Sequence, residues 1–521
     1  MPDRVLDLCT INIESRAPIK LVETKNKEAK FVCLSYRWGE IQNLTTTTAT
    51  FKDHKDGIQW DKLPQTFQDA IAFTRRLRIR YLWIDSLCIV QDDKKDWEQQ
   101  ASKMPSIYEN SYVTLAATAS DSSAGGCFHK ADPKYTAREL KVVDRDGQKH
   151  KILVRQHLPH WLNADPRYPE LSHQEYPILE RGWILQERFL APRVLHFGRH
   201  ELMWECMEGA ACECSFLDQV QDEHLDKLLH HRNMALKLKE DSIKGQAARQ
   251  ALHKTSAAQR WRAMVTRYSR LSLTKEMDIF PALSGLAKQM NREIKDTYVA
   301  GLWKKNLPID LFWEVSLPQK NERPGPWKAP TWSCAHRKVP VHWVDDLANV
   351  CEPELHLEVL DAKQVPVGEN DMGEISSACL VVNTRLCPVT LVVYTPERDA
   401  RHPSADLKMG GAYLNTLPEP SAMLYSLPME IKLDSFLPPT TQYKGRDDTQ
   451  AEKFGREVFC MRVATLSSKK YSLIIWFNRE KNAYERLGIT AQYVGFSGER
   501  HMGRIPWYDH KKCFSRNIRL V

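Results

Sequence analysis

The stretch that most constrains the fold is residues 79–109, IRYLWIDSLCIVQDDKKDWEQQASKMPSIYE. It opens on Tyr81-Leu82-Trp83-Ile84, a nearly continuous apolar run. Such a run suits a strand covered on both faces in a parallel sheet. A polar turn follows, with Asp85, Ser86, Cys88, Gln91, Asp92 and Asp93. Next comes a helix that brings Trp97, Ala101, Met104 and Tyr108 to one face. Carboxylates, a thiol and an amide therefore gather at the C-terminal end of a strand, where open α/β sheets bind their ligands.

The neighbouring segments repeat the pattern. Residues 31–36, FVCLSY, read as a buried strand running into Arg37-Trp38-Gly39-Glu40, a turn with glycine as its flexible point. Leu63-Pro64-Gln65-Thr66 opens a helix whose Phe67, Ala70, Ile71 and Thr74 share a face. Residues 112–119, YVTLAATA, read as a third strand before a Ser/Gly loop. Strand, helix, strand, helix, strand at this spacing predicts a right-handed parallel α/β unit. Residues 151–155 suit a further strand. Residues 181–206 suit a short helix and two strands, with Pro192 marking a turn.

Farther on, residues 216–300 change to charged helices and close on DIFPALSGLAKQM. Residues 318–330, PQKNERPGPWKAP, have the proline and charge of a linker. Beyond them short alternating strands dominate, and residues 395–455 lack a periodic pattern. The expected organisation is an α/β domain at 1–215, a helical region at 216–317, a linker at 318–330 and a β-rich domain at 331–521.

A chain of 521 residues is too long for one core. Its net charge of +8 is spread over 74 basic and 66 acidic residues, with no basic stripe interleaved with aromatics, so no nucleic-acid partner is expected. The first residues carry acids and bases and lack a signal-peptide core. No apolar run approaches the roughly 18 residues that span a bilayer. A cytoplasmic protein is expected. The 13 cysteines are odd in number and scattered, and Cys33, Cys379 and Cys460 sit among apolar residues, which fits reduced thiols better than a disulfide framework.

Several ordered motifs together resemble the fungal heterokaryon-incompatibility (HET) domain family. They are Val32-Cys33-Leu34-Ser35-Tyr36-Arg37-Trp38-Gly39, Leu63-Pro64-Gln65-Thr66-Phe67-Gln68-Asp69-Ala70, Tyr81-Leu82-Trp83-Ile84-Asp85-Ser86-Leu87-Cys88-Ile89 with Gln91-Asp92, and Arg181-Gly182-Trp183-Ile184-Leu185-Gln186-Glu187-Arg188 with Trp204-Glu205-Cys206. Segments such as Leu283-Ser284-Gly285-Leu286-Ala287 and Ala329-Pro330-Thr331-Trp332-Ser333 resemble those found downstream in full-length members. The resemblance implies a TIR/flavodoxin-like α/β domain, with roles in self/non-self recognition and regulated cell death. TIR relatives hydrolyse NAD with a helix-borne glutamate, so NAD is the substrate that the resemblance brings in; no cofactor is assigned.

One departure matters. The family helix reads Asp-Trp, two variable residues, then Glu; here it is Asp96-Trp97-Glu98-Gln99-Gln100. Glutamine keeps the shape but loses the anion that a cationic sugar transition state needs. Losing one well-placed electrostatic group typically costs about 10²–10³ in rate. Glu98 points to a nearly opposite helix face. Pro105 removes a backbone bond mid-helix, where a kink would shift Gln100 and re-aim Glu98. Arg78 stands where the family has glycine.

The other candidates each have two readings. Asp85 either faces a ligand or caps backbone N–H groups. Cys88 is a nucleophile only beside a base such as His196 or a cation such as Arg188; otherwise it is a packed thiol. Ser35, Tyr36, Trp38 and Gly39 either wall a ligand crevice with Ser86, Gln91 and Asp92, or form a structural turn. Gln186, Glu187 and Arg188, following Trp183, supply either a site carboxylate and a phosphate-binding guanidinium or an internal ion pair. If Gln100 has lost the catalytic role, Glu187 is the next carboxylate to test. Cys206, Cys212 and Cys214 with His196 and His200 invite a zinc reading, but C-x5-C-x-C lacks a paired C-x2-C framework, and no metal site is expected. Three functions remain open: a cell-death effector, an enzyme of secondary metabolism using the same crevice, or a non-catalytic recognition module binding a protein partner or itself.

Overall fold

The computed structural model describes residues 1–156 except 11, 13, 26 and 40–43, then 158, 160, 175–217, 227, 230, 231, 257–316, 327–344, 353–394, 412–415, 429–434, 442–444, 450–453, 458–466, 469–493 and 514–521. Two compact units emerge: Met1–Thr255 with Leu271–Glu293, and Ser256–Arg270 with Ile294–Val521.

The first unit is built on an eight-stranded sheet. Its strands are β1 (Arg4–Asp7), β2 (Lys20–Glu23), β3 (Phe31–Ser35), β4 (Tyr81–Trp83), β5 (Val113–Ala116), β8 (Arg193–Phe197), β9 (Leu202–Cys206) and β10 (Ala210–Cys212). The order is β10-β9-β8-β5-β3-β4-β1-β2. The four central strands are parallel, with β3 between β4 and β5 and β8 beyond β5. Both flanks are antiparallel, so the sheet is mixed rather than wholly parallel. Every residue of β1, β3 and β5 is buried, the signature of strands covered on both faces.

The helices follow the periodicity of the sequence. Helix α2 (Gln65–Arg76) buries Phe67, Ala70, Ile71 and Thr74 as expected. After its end, Arg78 adopts φ +57°, a left-handed conformation that glycine occupies without strain. Helix α4 (Lys94–Glu109) starts on Asp93, whose side chain accepts from the N–H groups of Lys95 and Asp96. It continues through Pro105 to Glu109. Helices α5 (Ile184–Leu190) and α7 (Pro281–Ile294) complete the set used below, α7 being the closing helix expected from DIFPALSGLAKQM. Pro192 falls in the turn between α5 and β8.

Pro105 has a packing reason. Gly285 of α7 comes so near that a Cβ there would lie 2.6 Å from Pro105 Cβ and 2.5 Å from Gln186 Oε1. Gly285 N–H also donates to Gln186 Oε1 at 2.8 Å. Gly285→Ala is expected to destabilise this unit by about 1–3 kcal/mol through overpacking. Urea unfolding checks it; a change within experimental error would mean that the contact relaxes freely.

Strands β6 (Arg138–Val143) and β7 (Lys149–Val154) form a separate antiparallel hairpin. The strand expected near 151–155 therefore exists but does not join the main sheet. Leu140, Val142, Ile152 and Val154 lie on one hairpin face and are all exposed.

The second unit holds an eleven-stranded sheet, so the C-terminal half is β-rich as expected. Residues 395–455, expected to lack regular structure, contribute strands Ala412–Asn415, Met429–Leu433, Gln442–Lys444 and Gln450–Lys453; the rest of that stretch lies outside the described residues. Helix Ala257–Tyr268 belongs to this unit, with Trp261 edge-on to Trp303 at 5.6 Å. The charged segment 224–240 lies mostly outside the described residues, as does most of 318–330. Among the described residues, ten cysteines are free thiols; Cys387 departs from the reduced-thiol expectation and is disulfide-bonded. No helix among the described residues is long and apolar enough to cross a membrane.

Candidate functional site

Strands β3 and β4 end side by side, so Ser35 and Asp85 emerge together at their C-terminal ends. Asp85 opens a short helix and accepts from its neighbour, Ser86 N–H, at 2.7 Å. Its other oxygen accepts from Trp38 Nε1–H at 3.0 Å, which fixes the indole of the post-β3 turn against the post-β4 turn. That turn needs Gly39, which has φ +76° and approaches Ser122 so closely that a Cβ would lie 2.5 Å from Ser122 Cβ. The loop around Ser122 is itself tied to α2, through Thr66 to Gly126 N–H and Asp69 to Cys127 N–H.

A second carboxylate enters from α5. Glu187 is only 2% exposed, and Ser35 Oγ–H donates to it. Arg181, just before α5, lies 3.7 Å from Glu187 and donates to the Tyr36 carbonyl. Its side chain keeps 20% of its surface in solvent. Burial raises the Glu187 carboxyl above its usual range, opposed by Arg181 and Ser35 and reinforced by the charge of Asp85. Burial likewise raises Asp85, opposed by Arg181 and Trp38. Arg181 is thus the cation shared by two carboxylates that burial alone would neutralise.

Tyr36 and Ser86 stand beside Asp85 with buried hydroxyls that interact with each other and, from Tyr36, with Asp85, but without a bond of good geometry. Buried polar groups are almost always well paired, so this loosely bonded trio is suited to taking up a further polar group.

The remaining candidates lie apart or serve the scaffold. Cys88 is buried, its carbonyl accepts from Arg4, and burial pushes its thiol up to about 12. Neither proposed activator serves it: His196 and Arg188 both bind Glu205. Gln91 holds its own turn through the Asp85 and Ile89 carbonyls. Asp92 is exposed and accepts from Thr48. Glu98 pairs with Lys94 at 3.6 Å. Gln100 is buried and its amide donates to Asp3 at 3.0 Å, a bond to the chain's N-terminal segment rather than to Asp85 or Glu187. Trp183 donates to Asp278. Gln186 faces α7 through Gly285.

Arg188 turns away from the cluster. It grips Glu205 bidentately at 2.5 and 2.6 Å, with His196 at 3.4 Å from the same carboxylate. Burial pushes Glu205 up, but the guanidinium overrides it and holds the carboxyl well below its usual range. Glu187 thus lies beside Arg181, and Arg188 pairs with Glu205.

Residues 31–187 match the family model described as Heterokaryon incompatibility protein (HET). This segment resembles a HET domain. No curated protein and no solved structure matches the chain. The matched segment contains Ser35, Tyr36, Trp38, Asp85, Ser86, Arg181 and Glu187, so the whole cluster falls within it. Sequence reasoning had Arg181 within a motif but gave it no role. The only signal was a cation six residues before a carboxylate, which does not reveal that both turn to the same strand ends.

Proposed function

We propose that this protein is an effector of the self/non-self recognition and regulated cell-death type, whose HET domain binds a nucleotide-like ligand at the ends of the central strands and cleaves NAD slowly or not at all. The observation that carries this reading is the convergence of Ser35, Asp85, Arg181 and Glu187 beside the buried, loosely bonded hydroxyls of Tyr36 and Ser86. A guanidinium suits a phosphate, and carboxylates and hydroxyls suit ribose hydroxyl groups. The TIR/flavodoxin-like reading has support in the strand order: the parallel strands, numbered in chain order, run 2-1-3-4, as in doubly wound sheets that bind ligands at the switch in order.

Cleavage is disfavoured because the available carboxylates are engaged. Glu187 serves Ser35 and Arg181, Asp85 serves Trp38 and Ser86, and position 100 carries an amide committed to Asp3. Gln100→Glu is therefore expected not to create an NAD hydrolase. It sets a carboxylate against Asp3 and lowers stability by about 1–3 kcal/mol.

Calorimetry with NAD and ADP-ribose, together with chromatography of released nicotinamide, tests the reading. Binding to the wild type that weakens about tenfold or more in Asp85→Asn is expected, with nicotinamide release near the enzyme-free rate. Rapid cleavage by the wild type that survives Glu187→Gln would sink the reading. A recognition role has its own support in the β6–β7 hairpin, whose exposed apolar face offers a contact for a protein partner.

A further inference from the structure

The structure assigns a zinc-binding site to His160, Glu201, Cys212 and Cys214, away from the strand-end cluster and independent of the function proposed for it. The four ligand atoms all lie within 4.8 Å of one another. Cys214 Sγ is 2.9 Å from His160 Nε2, 3.3 Å from Cys212 Sγ and 3.7 Å from Glu201 Oε1. Cys212 Sγ is 3.6 Å from His160 Nε2, and His160 Nε2 is 2.5 Å from Glu201 Oε1. Zinc bonds of about 2.0–2.3 Å in a tetrahedron separate ligand atoms by about 3.2–3.8 Å, so the tightest pair opens and the widest, at no more than 4.8 Å, closes by about 1 Å or less.

The surroundings prepare each ligand. His160 Nδ1 lies 2.8 Å from the Leu158 carbonyl. Donation there places the ring proton on Nδ1 and leaves the Nε2 lone pair aimed at the cluster, the outer-shell arrangement that orients metal-ligating histidines. The Phe216 ring stacks on the imidazole at 4.6 Å. Cys212 Sγ accepts from Leu217 N–H at 3.4 Å, and Glu201 Oε2 accepts from Cys214 N–H at 2.9 Å. His160 and Glu201 side chains are 1% and 7% exposed, and the two half-buried thiols close the cluster beside them.

Four protein ligands close the coordination shell, which makes the site structural rather than catalytic. Two thiolates and an imidazole select zinc over calcium or magnesium. On binding, the two thiols release their protons to solvent, and Zn²⁺ forms two Zn–S bonds, one Zn–N and one Zn–O. The ion would clip His160 to residues of the β8–β10 meander, 54 positions further along the chain at Cys214. The zinc reading suggested by the cysteines therefore shifts its membership. Cys212 and Cys214 remain, whereas His196 binds Thr118 and Glu205, His200 lies by Glu175, and Cys206 accepts from Glu208 N–H.

The full chain, freed of any affinity tag, is reconstituted with zinc chloride under reducing conditions, desalted and analysed by elemental mass spectrometry. About one zinc per chain is expected, retained in Cys206→Ser and lost in the double variant Cys212→Ser, Cys214→Ser. Stripping the wild type with a chelator should lower its melting midpoint by about 5 °C or more, reversibly. Less than about a tenth of an equivalent in the reconstituted wild type, or full zinc in the double variant, overturns the assignment. If the double variant does not fold, cobalt substitution of the wild type decides. Intense tetrahedral bands with thiolate charge transfer support the site; a weak octahedral spectrum overturns it.

Discussion

Replacing Arg188 by Met should be among the most damaging single changes in the first unit, with a loss of about 3–5 kcal/mol in urea unfolding. The cause is the partner left behind. Glu205 is 2% exposed and takes both of its short bonds from this guanidinium. Without Arg188 its close neighbours are His196, whose own proton affinity burial lowers, and Lys227, which burial pushes down to about 8. Neither makes the bidentate contact of the guanidinium, so the buried carboxylate is left poorly compensated. The pH dependence has a definite sign. In the wild type the folded Glu205 is depressed, so its contribution is present above the unfolded carboxylate value and is lost as pH falls through the folded one. In Arg188→Met the carboxyl is raised instead, and the variant's deficit should shrink as the pH is lowered. The double variant Arg188→Met, Glu205→Gln should recover much of the loss, because two neutral groups replace a lone charge. A single variant as stable as the wild type at neutral pH would refute this account of the pair.

Arg181→Met should abolish most ligand binding, by about 100-fold or more where a bidentate anion contact is lost. It should also change how the unit responds to pH. Arg181 opposes the burial that raises both Asp85 and Glu187. Once it is gone, both carboxyls rise further. A raised folded value means that the native state binds more protons than the unfolded one. Stability is then fully present below the unfolded carboxylate range and is lost as pH climbs through the folded values. The variant should therefore be more stable near pH 5 than near pH 7.5, by a wider margin than the wild type. Thermal melts across that range measure it. A flat difference between variant and wild type would show that Arg181 is not the shared counter-ion. The expected loss of binding rests on the proposed ligand class; the pH response rests on the cluster alone.

How much of this was legible depends on the range of the interaction. Helix α2 and strands β3, β4 and β5 were readable because each is long enough, or apolar enough, to carry its own period. Strand β1 was not: RVLD is four residues, and only its pairing to Leu82 and Tyr81 makes it a strand. The 149–154 segment was readable as a strand, but its destination was not. Alternation does not specify a partner, and it pairs with 138–143 rather than with the sheet. Pro105 suggested a kink. The contact that accounts for it, Gly285, is far along the chain.

By itself the sequence determined the HET motifs, the parallel core and the presence of Ser35 and Asp85 at adjacent strand ends, because backbone periodicity and turn chemistry are local. Only the tertiary structure decided what each polar side chain does. Consecutive residues on a helix diverge by roughly 100°. Glu187 therefore joins Ser35 and Arg181, while Arg188 beside it grips Glu205. Gln100, which the motif marked as a catalytic position, turns to Asp3. Cys212 and Cys214 find their partners in Glu201 and in His160, a residue that no spacing rule connects to them. Each of these outcomes depends on which distant residue lies across the gap, and distance along the chain does not encode that.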